Sequence, residues 1–340
     1  MHTVGRPKVY VTRVIPPPGL DILKEHCEVE LHTEEAPPSK EEIIEKVRDK
    51  DALLCLLTDK IDSEVMDAAP NLVVISTYSV GFDHIDIEEA TRRGIYVTNT
   101  PGVLTDAVAD FTWALLLSVA RRVVEADNYV RAGKWKVGWI PTLFLGTAVY
   151  GKTLGIVGLG RIGRAVAERA KGFNMKILYY DIYRPSAEVE QKLGVEYRSL
   201  DELLKESDFV SLHVPLTKNT YHLIGERELK LMKKTAYLIN TARGAVVDTY
   251  ALAKALEEGW IAGAALDVHE KEPINMDHPI LKLKNVVLAP HIASATTWAR
   301  SKMAEMAATN LIAVLKGEMP PNLVNKDVLK VRPLDQVKRI

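Results

Sequence analysis

Short apolar runs alternate with amphipathic helical patterns over most of the 340-residue chain. Runs of four to seven residues of this kind, bounded by turn residues, are typical of buried parallel strands. Strand and helix signals in alternation predict open parallel sheets covered by helices, and therefore an α/β fold. The predicted strands are residues 8–13, 28–32, 52–57, 72–77, 153–157, 176–180, 208–214, 236–241, 262–267 and 286–289.

Two long helical patterns stand out from the shorter ones. Residues 106–122 are too apolar for a helix with one solvated face, so we expect this helix to bury most of its circumference. Residues 296–316 have mixed polarity and form the last predicted helix, which a polar tail follows. A shorter helix is expected to begin after Ser39, with Glu42 at the capping-box position.

The stretch 133–150 has little periodicity but contains Trp135, Trp139 and Phe144. An aromatic-rich segment that is not a core element suggests a protein–protein interface. A loop that folds back onto its own subunit is the alternative interpretation.

One strand–turn–helix–strand unit at 152–181 has the spacing of a dinucleotide-binding motif. Gly158 permits the tight turn, Gly160 lets the backbone approach a pyrophosphate, and Gly163 lets the helix pack against the strand. The helix N-terminus then supplies amides for the phosphates. Asp181 closes the next strand, where a carboxylate can accept both hydroxyls of an adenosine ribose. The complete unit favours a dinucleotide over S-adenosylmethionine.

Composition and charge narrow the class of protein. Hydrophobic residues make up 47% and charged residues 26%, as in globular proteins. A net charge of −1 provides no basic field for nucleic acid or anionic lipid. Two cysteines are too few for a disulfide framework, the histidines lack metal-type spacing, and the longest apolar runs are too short to cross a bilayer. These features predict a soluble cytoplasmic protein without a metal site or a signal peptide.

Arg243, Glu272 and His291 each follow a predicted strand in the second half of the chain. Ligands of such sheets bind beyond the carboxyl ends of the strands, so we expect the three side chains to open onto one cleft. A guanidinium can grip a carboxylate, a histidine can protonate an alkoxide, and a neighbouring carboxylate can stabilise the imidazolium. Taken singly, each is more simply a capping, surface or packed residue. Their joint placement favours hydride transfer to a 2-oxo acid.

Six motifs are shared with one enzyme family. They are VGFDHID (80–86), GIYVTNTPGVLTDAVAD (94–110), GLGRIG (158–163), NTARGAVVD (240–248), AALDVHEKEP (264–273) and APHIASAT (289–296). On these motifs the chain resembles the D-isomer-specific 2-hydroxyacid dehydrogenases, and among them the glyoxylate/hydroxypyruvate reductase branch.

The resemblance implies two doubly wound parallel-sheet domains, Rossmann-like and flavodoxin-like. A substrate domain formed by residues 1–100 and 293–340 would be split around an NAD(P)-binding domain at 101–292. The family's dimers imply a homodimer, in which an arm at 123–150 embraces the partner. The expected reaction is reduction of a small 2-oxo acid, glyoxylate or hydroxypyruvate, to glycolate or D-glycerate.

By match to the family's motifs, Arg243 binds the substrate carboxylate, Glu272 supports the histidine, and His291 is the acid/base. The family's common HIGSAT reads HIASAT here, so Ala293 is expected to alter the local turn slightly.

The resemblance implies further substrate and coenzyme contacts. The additional substrate contacts are the backbone amides of Val80 and Gly81 and, from the neighbouring subunit, Trp139. The implied coenzyme contacts are Thr105, Gly158, Leu159, Gly160, Arg161, Ile162, Gly163, Asp181, Thr241, Ala242, Arg243, Asp267, His291 and Ala293.

The Asp181 carboxylate would repel a 2′-phosphate, which favours NAD(H) over NADP(H). Arg184 lies three residues further on and could pair with such a phosphate if Asp181 turned away.

Two other functions stay open on the sequence. A D-3-phosphoglycerate dehydrogenase-like enzyme is one, although no arginine near Val80 is available for a substrate phosphate. The other is an NADH-sensing protein without turnover, similar to the co-repressors that resemble this family. Glu272 argues against formate dehydrogenases, which have glutamine there, and SVGFD lacks the lysine of phosphite dehydrogenases.

Overall fold

Two parallel β-sheets organise the structure, a computed structural model that describes residues 5–340. Each sheet belongs to its own unit of the chain. One unit contains the described residues up to Leu104 together with Ala295–Ile340, and the other contains Thr105–Ser294.

The first unit begins with five short strands and four helices. They are β1 (Lys8–Val11), α1 (Gly19–His26), β2 (Glu28–Leu31), α2 (Lys40–Lys46), β3 (Ala52–Cys55), α3 (Ser63–Asp67), β4 (Val74–Thr77), α4 (Ile87–Arg92) and β5 (Tyr96–Thr98). All strand pairs are parallel and the order is β2-β1-β3-β4-β5, a flavodoxin-like arrangement. Every residue of β3 and β4 is buried, as expected for strands covered on both faces.

Ser39 caps α2, as the sequence predicts, but the capping box forms only in part. The Ser39 hydroxyl accepts a hydrogen bond from the Glu42 amide at 3.2 Å. The Glu42 carboxylate lies 2.9 Å from Nδ1 of His32 and accepts a hydrogen bond from the Tyr10 hydroxyl at 3.4 Å. The glutamate therefore connects α2 to the strand layer.

The second unit contains seven helices and seven strands among its described residues. They are α5 (Thr105–Ala120), α6 (Val123–Arg131), β6 (Thr153–Val157), α7 (Arg161–Ala170), β7 (Lys176–Tyr180), α8 (Ala187–Leu193), β8 (Val195–Tyr197), α9 (Leu200–Glu206), β9 (Phe209–Leu212), α10 (Glu226–Leu231), β10 (Tyr237–Asn240), α11 (Thr249–Glu257), β11 (Gly263–Leu266) and β12 (Val286–Leu288). The strands are parallel in the order β12-β11-β10-β9-β6-β7-β8, which contains the Rossmann order. The chain changes direction across the sheet between β6 and β9, so the switch point follows β6.

Helix α5 is buried on nearly every side, which confirms the expectation from its apolar sequence. Its exposed positions are Asp106, Asp110 and Ala114, one narrow stripe four residues apart. Beside this stripe, the buried Trp113 stacks on Phe173 with ring centroids 4.7 Å apart. The helix is therefore part of the core beneath the sheet.

The chain returns to the first unit with α12 (Thr297–Leu315) and ends after α13 (Val328–Val331). The polar tail after α12 is anchored rather than loose. The Asn325 side chain accepts a hydrogen bond from the Val97 amide at 2.8 Å and donates to the Ile95 carbonyl at 2.9 Å, at the edge of the sheet. Val328 and Val337 are fully buried.

Among the helices of residues 5–340, none combines the length and apolar character needed to span a membrane. Over the same residues, no cluster of three or more His, Cys, Asp or Glu side chains is arranged to hold a metal ion.

Candidate active site

The glycine loop lies at the switch point, between β6 and α7. Gly158 has φ of +96°, a left-handed conformation that favours glycine, and a Cβ there would lie 2.6 Å from the His213 carbonyl oxygen. A Cβ at Gly163 would lie 2.1 Å from the Gly158 carbonyl oxygen, so α7 packs directly against the turn. Gly160 faces open space, since a Cβ there would meet no atom within 4 Å. The turn therefore exposes backbone at the point where a phosphate would approach a helix N-terminus.

Asp181 follows β7 and holds the glycine loop from the side. Its carboxylate accepts hydrogen bonds from the Leu159 amide at 2.7 Å and from the Tyr183 amide at 2.9 Å. An acid at the end of this strand, beside the glycine loop, fits the ribose end of a dinucleotide.

Arg243 lies in a turn after β10 that Asn240 organises. The Asn240 side chain accepts a hydrogen bond from the Ala242 amide at 3.0 Å and donates to the Arg243 carbonyl at 2.9 Å. Next to it, the Thr241 hydroxyl lies 2.9 Å from that of Thr112 on α5. Both ends of the turn are therefore fixed to the core.

The turn with Arg243 touches the loop that carries Glu272. A Cβ on Gly244 would lie 1.9 Å from the carbonyl carbon of His269, so only glycine allows this approach. The His269 amide donates to Oε1 of Glu272 at 3.0 Å, and its ring Nε2 lies 3.0 Å from the Ala289 carbonyl oxygen. His269 thus connects the loop after β11 to the segment that precedes His291.

Glu272 and His291 form the central polar pair. Oε2 of Glu272 lies 2.7 Å from Nδ1 of His291, and about a quarter of each side chain is exposed. Burial alone would raise the pKa of Glu272, but the contacts with His291 and with His269 together outweigh it and lower that pKa below its usual range. The carboxylate is therefore ionised at neutral pH, and Nε2 is the ring nitrogen that can face a ligand.

Asp267 holds the backbone around His291. His291 has φ of +56°, which is uncommon for a residue other than glycine and marks local strain. The His291 amide donates to the Asp267 carbonyl at 2.8 Å. The fully buried Asp267 carboxylate accepts from the Ile292 and Ala293 amides, each at 2.8 Å.

Ala293 fits this turn without a left-handed backbone, since the positive φ falls on His291. The alanine is buried, and its amide is bonded to Asp267. The slight change of the turn that its sequence position suggests stays a prediction.

Val80 and Gly81 lie in the first unit, in the loop after β4. The Val80 carbonyl accepts from the Asn99 side chain at 2.8 Å, and the Gly81 carbonyl accepts from the Ser79 hydroxyl at 2.6 Å. Within residues 5–340, neither backbone amide donates to a protein acceptor. Both amides can therefore bind an anionic ligand.

Two further predicted contacts are Thr105 and Trp139. Thr105 is the first residue of α5, two turns before Thr112. Trp139 lies in the irregular segment after α6, and its side chain is 86% exposed.

Two positioning residues were not found by the sequence analysis. Asn240 ends a buried strand and His269 follows one, so each has the pattern of an ordinary strand neighbour. Asn240 lies in the NTARG segment and His269 in the DVHEKEP segment, but only the contacts of the two residues show which segments they position.

Known proteins match this chain over nearly its whole length. The family model for "D-isomer specific 2-hydroxyacid dehydrogenase, NAD binding domain" matches residues 113–293. A glyoxylate reductase of Thermofilum pendens is 68% identical over 339 residues, which cover 99% of this chain and 100% of the relative. A glyoxylate reductase of Pyrococcus furiosus is 58% identical over 330 residues, 96% of this chain and 98% of the relative.

Solved structures share the fold. A Thermus thermophilus protein superposes with a TM-score of 0.87 at 50% identity, covering 93% of this chain and 99% of its own. The NADPH-dependent glyoxylate/hydroxypyruvate reductase of Sinorhizobium meliloti, solved with NADP and malonate, superposes with a TM-score of 0.85 at 34% identity. That match covers 95% of this chain and 98% of the other.

Proposed function

The chain belongs to the D-isomer-specific 2-hydroxyacid dehydrogenases, and we propose that it reduces glyoxylate to glycolate with a reduced nicotinamide coenzyme. The observation that carries this proposal is the hydrogen bond between Glu272 and Nδ1 of His291, which leaves Nε2 for a substrate oxygen. The relatives named glyoxylate reductase support the choice of substrate. Hydroxypyruvate is a second proposed substrate, because the name of the Sinorhizobium meliloti neighbour includes it.

The residues of the second unit suit a dinucleotide. In this proposal the glycine loop and the N-terminus of α7 hold the pyrophosphate, and Asp181 holds the adenosine ribose. Thr105, Asp267 and the segment from Thr241 to Arg243 would hold the nicotinamide end. When bound, the reduced nicotinamide supplies the hydride.

The catalytic roles follow from the chemistry of the polar residues. Arg243 binds the substrate carboxylate through its planar guanidinium. Protonated His291 gives its Nε2 proton to the carbonyl oxygen as the hydride adds to the carbonyl carbon, and the ring becomes neutral. Glu272 stabilises the imidazolium before the transfer and fixes the ring orientation. Solvent then returns a proton to His291.

We propose NADH as the preferred coenzyme because Asp181 stands at the end of β7. A carboxylate there accepts the 2′- and 3′-hydroxyls of the ribose and repels a 2′-phosphate. The solved neighbour with NADP shows that the family includes the other preference, so the two coenzymes must be compared directly.

We also propose that the protein is a homodimer that forms through α6 and the segment after it. A groove of about 930 Å³ lies between α5, α6 and β12, lined by residues that include Val119, Val124, Tyr129 and Phe144. Large apolar side chains are exposed on the same stretch: Val123, Val130, Trp135, Val137, Trp139 and Leu145. An exposed apolar surface of this kind is typical of a protein–protein interface. In this proposal each copy provides a groove, and exposed apolar side chains of the other copy fill it.

The function is tested by NADH and NADPH oxidation with glyoxylate, hydroxypyruvate, pyruvate and phosphohydroxypyruvate. Rapid oxidation with glyoxylate or hydroxypyruvate is the expected result. Turnover with phosphohydroxypyruvate alone would instead make the protein a phosphoglycerate dehydrogenase. Tight NADH binding without turnover of any acid would favour an NADH sensor.

A further inference from the structure

Arg184 is held by an ion pair next to the proposed ribose site. It lies three residues after Asp181, in the loop between β7 and α8. Its Nε donates to Oε1 of Glu190 at 2.8 Å and its Nη2 donates to Oε2 at 3.2 Å. This two-point contact fixes the plane of the guanidinium as well as its position.

Two tyrosines strengthen the contact. The Tyr179 hydroxyl donates to Oε1 of Glu190, so the carboxylate is held from the strand side as well. The Arg184 guanidinium lies over the Tyr197 ring, 5.1 Å from its centroid. The Glu190 side chain is only 15% exposed, whereas that of Arg184 is 62% exposed. The glutamate is therefore the fixed partner, and the arginine is the side chain free to move if it is released.

We propose that Glu190 is a specificity-determining residue, which holds Arg184 away from the 2′ position of the adenosine ribose and so favours NADH over NADPH. The inference rests on one part of the proposed function, the binding of a nicotinamide dinucleotide. It adds a second determinant to Asp181: one carboxylate repels the phosphate, and the other withholds the cation that could bind it.

The ion pair makes NADPH binding costly in two ways. A 2′-phosphate that approached Asp181 would meet a negative charge. To gain Arg184 as a partner, it would also have to break a bidentate, charge-assisted contact and the stacking on Tyr197. Replacing Asp181 alone removes only the first obstacle.

The test measures the binding of NADH and NADPH in the absence of any oxo acid, with coenzyme fluorescence as the signal. The variants are Asp181→Ser, Glu190→Gln and the double variant. We expect Asp181→Ser to weaken NADH binding and to improve NADPH binding modestly. The double variant is expected to bind NADPH about 10- to 100-fold more tightly than Asp181→Ser, the range of a charge-assisted hydrogen bond. This gain should shrink as salt is added, because it comes from an exposed ion pair.

Glu188→Gln is the matched control. Glu188 lies on the same helix and is exposed, and the change removes the same charge without touching Arg184. In the Asp181→Ser background, Glu188→Gln should leave the ratio of NADPH to NADH affinity unchanged. Thermal unfolding followed by circular dichroism checks that each variant is folded.

Two outcomes would overturn the proposal. One is an unchanged affinity ratio when Glu190→Gln is added to Asp181→Ser. The other comes from a variant that keeps Glu190, Arg184→Ala in the Asp181→Ser background. We expect this variant to leave NADPH affinity unchanged, because an Arg184 held by Glu190 does not contact the phosphate. A loss of NADPH affinity there would show that Arg184 already reaches the phosphate. Because the assay contains no oxo acid, these results are independent of whether glyoxylate is the substrate.

Discussion

At the scale of single residues, the site depends on a histidine held in a strained backbone conformation. Left-handed φ costs about 1–3 kcal/mol for a residue other than glycine, and it persists when the surroundings require it. At His291 the surroundings are the backbone and carboxylate of Asp267, which accept three consecutive amides. In this conformation Nδ1 of His291 contacts Oε2 of Glu272, which leaves Nε2 for a ligand.

Replacing His291 with asparagine separates proton transfer from backbone geometry. Asparagine tolerates left-handed φ but cannot donate the proton, so kcat should fall by about 10²- to 10⁴-fold. NADH affinity, measured by fluorescence, should change little. A variant that kept the wild-type rate would remove His291 from the acid/base role.

Glu272 gives stability a defined pH dependence. Its pKa lies below the ordinary value of 4.5, so its ionised form stabilises the folded protein above that value. This contribution is lost as the pH falls through the lowered pKa. We expect Glu272→Gln to reduce the free energy of unfolding at pH 7, and the difference from wild type to shrink below pH 4.5.

Urea unfolding at a series of pH values measures this difference. Glu257→Gln serves as the control, because Glu257 is exposed at the end of α11 and its side chain makes no hydrogen bond or ion pair within residues 5–340. A deficit for Glu272→Gln that stayed constant at every pH would contradict the assignment.

At the scale of elements, the contact between α7 and the turn after β6 positions the phosphate-binding amides. It is possible only because Gly163 has no side chain where the Gly158 carbonyl passes. A helix displaced by one methyl group would move every free amide of its first turn.

Alanine at Gly163 should therefore weaken coenzyme binding. Alanine is the better helix former by about 1 kcal/mol, but the clash at 2.1 Å should cost about 1–3 kcal/mol and move α7. The dissociation constants of NADH and NADPH, obtained by fluorescence titration, should both rise. Gly172→Ala is the matched control, since a Cβ there meets no atom within 4 Å. Equal coenzyme affinities in the two variants would rule out this role of the close contact.

At the scale of the whole molecule, the apolar surface around α6 should decide the oligomeric state. We expect the wild-type protein to have the mass of a dimer in size-exclusion chromatography with light scattering. Val137→Asp should shift it toward monomer, because it places a charge among the exposed apolar side chains of this surface. Val14→Asp, at a residue of similar exposure outside this surface, should not. A monomeric wild-type protein would contradict the proposed dimer.

The sequence predicted the α/β class, both parallel sheets and most of the elements. The runs 154–157 and 262–266 are fully apolar because strands covered by helices on both faces have mostly apolar neighbours, so they are visible without a structure. The strands β5 and β8 were missed because three residues are too few to show a period. The sequence indicates only a polar tail at the end of the chain, since one buried Asn325 leaves no pattern.

The sequence by itself also determined which residue types are available for the chemistry: the glycine loop, Asp181, Arg243, Glu272 and His291. Each of these follows a strand, and the carboxyl ends of parallel strands meet at one edge of a sheet. Only the tertiary structure decided how they are held. The contact of Gly244 with His269, the amides bonded to Asp267 and the ion pair between Arg184 and Glu190 join segments that no local pattern connects. Such contacts depend on distances across the fold, whereas sequence patterns report burial and backbone preference along the chain.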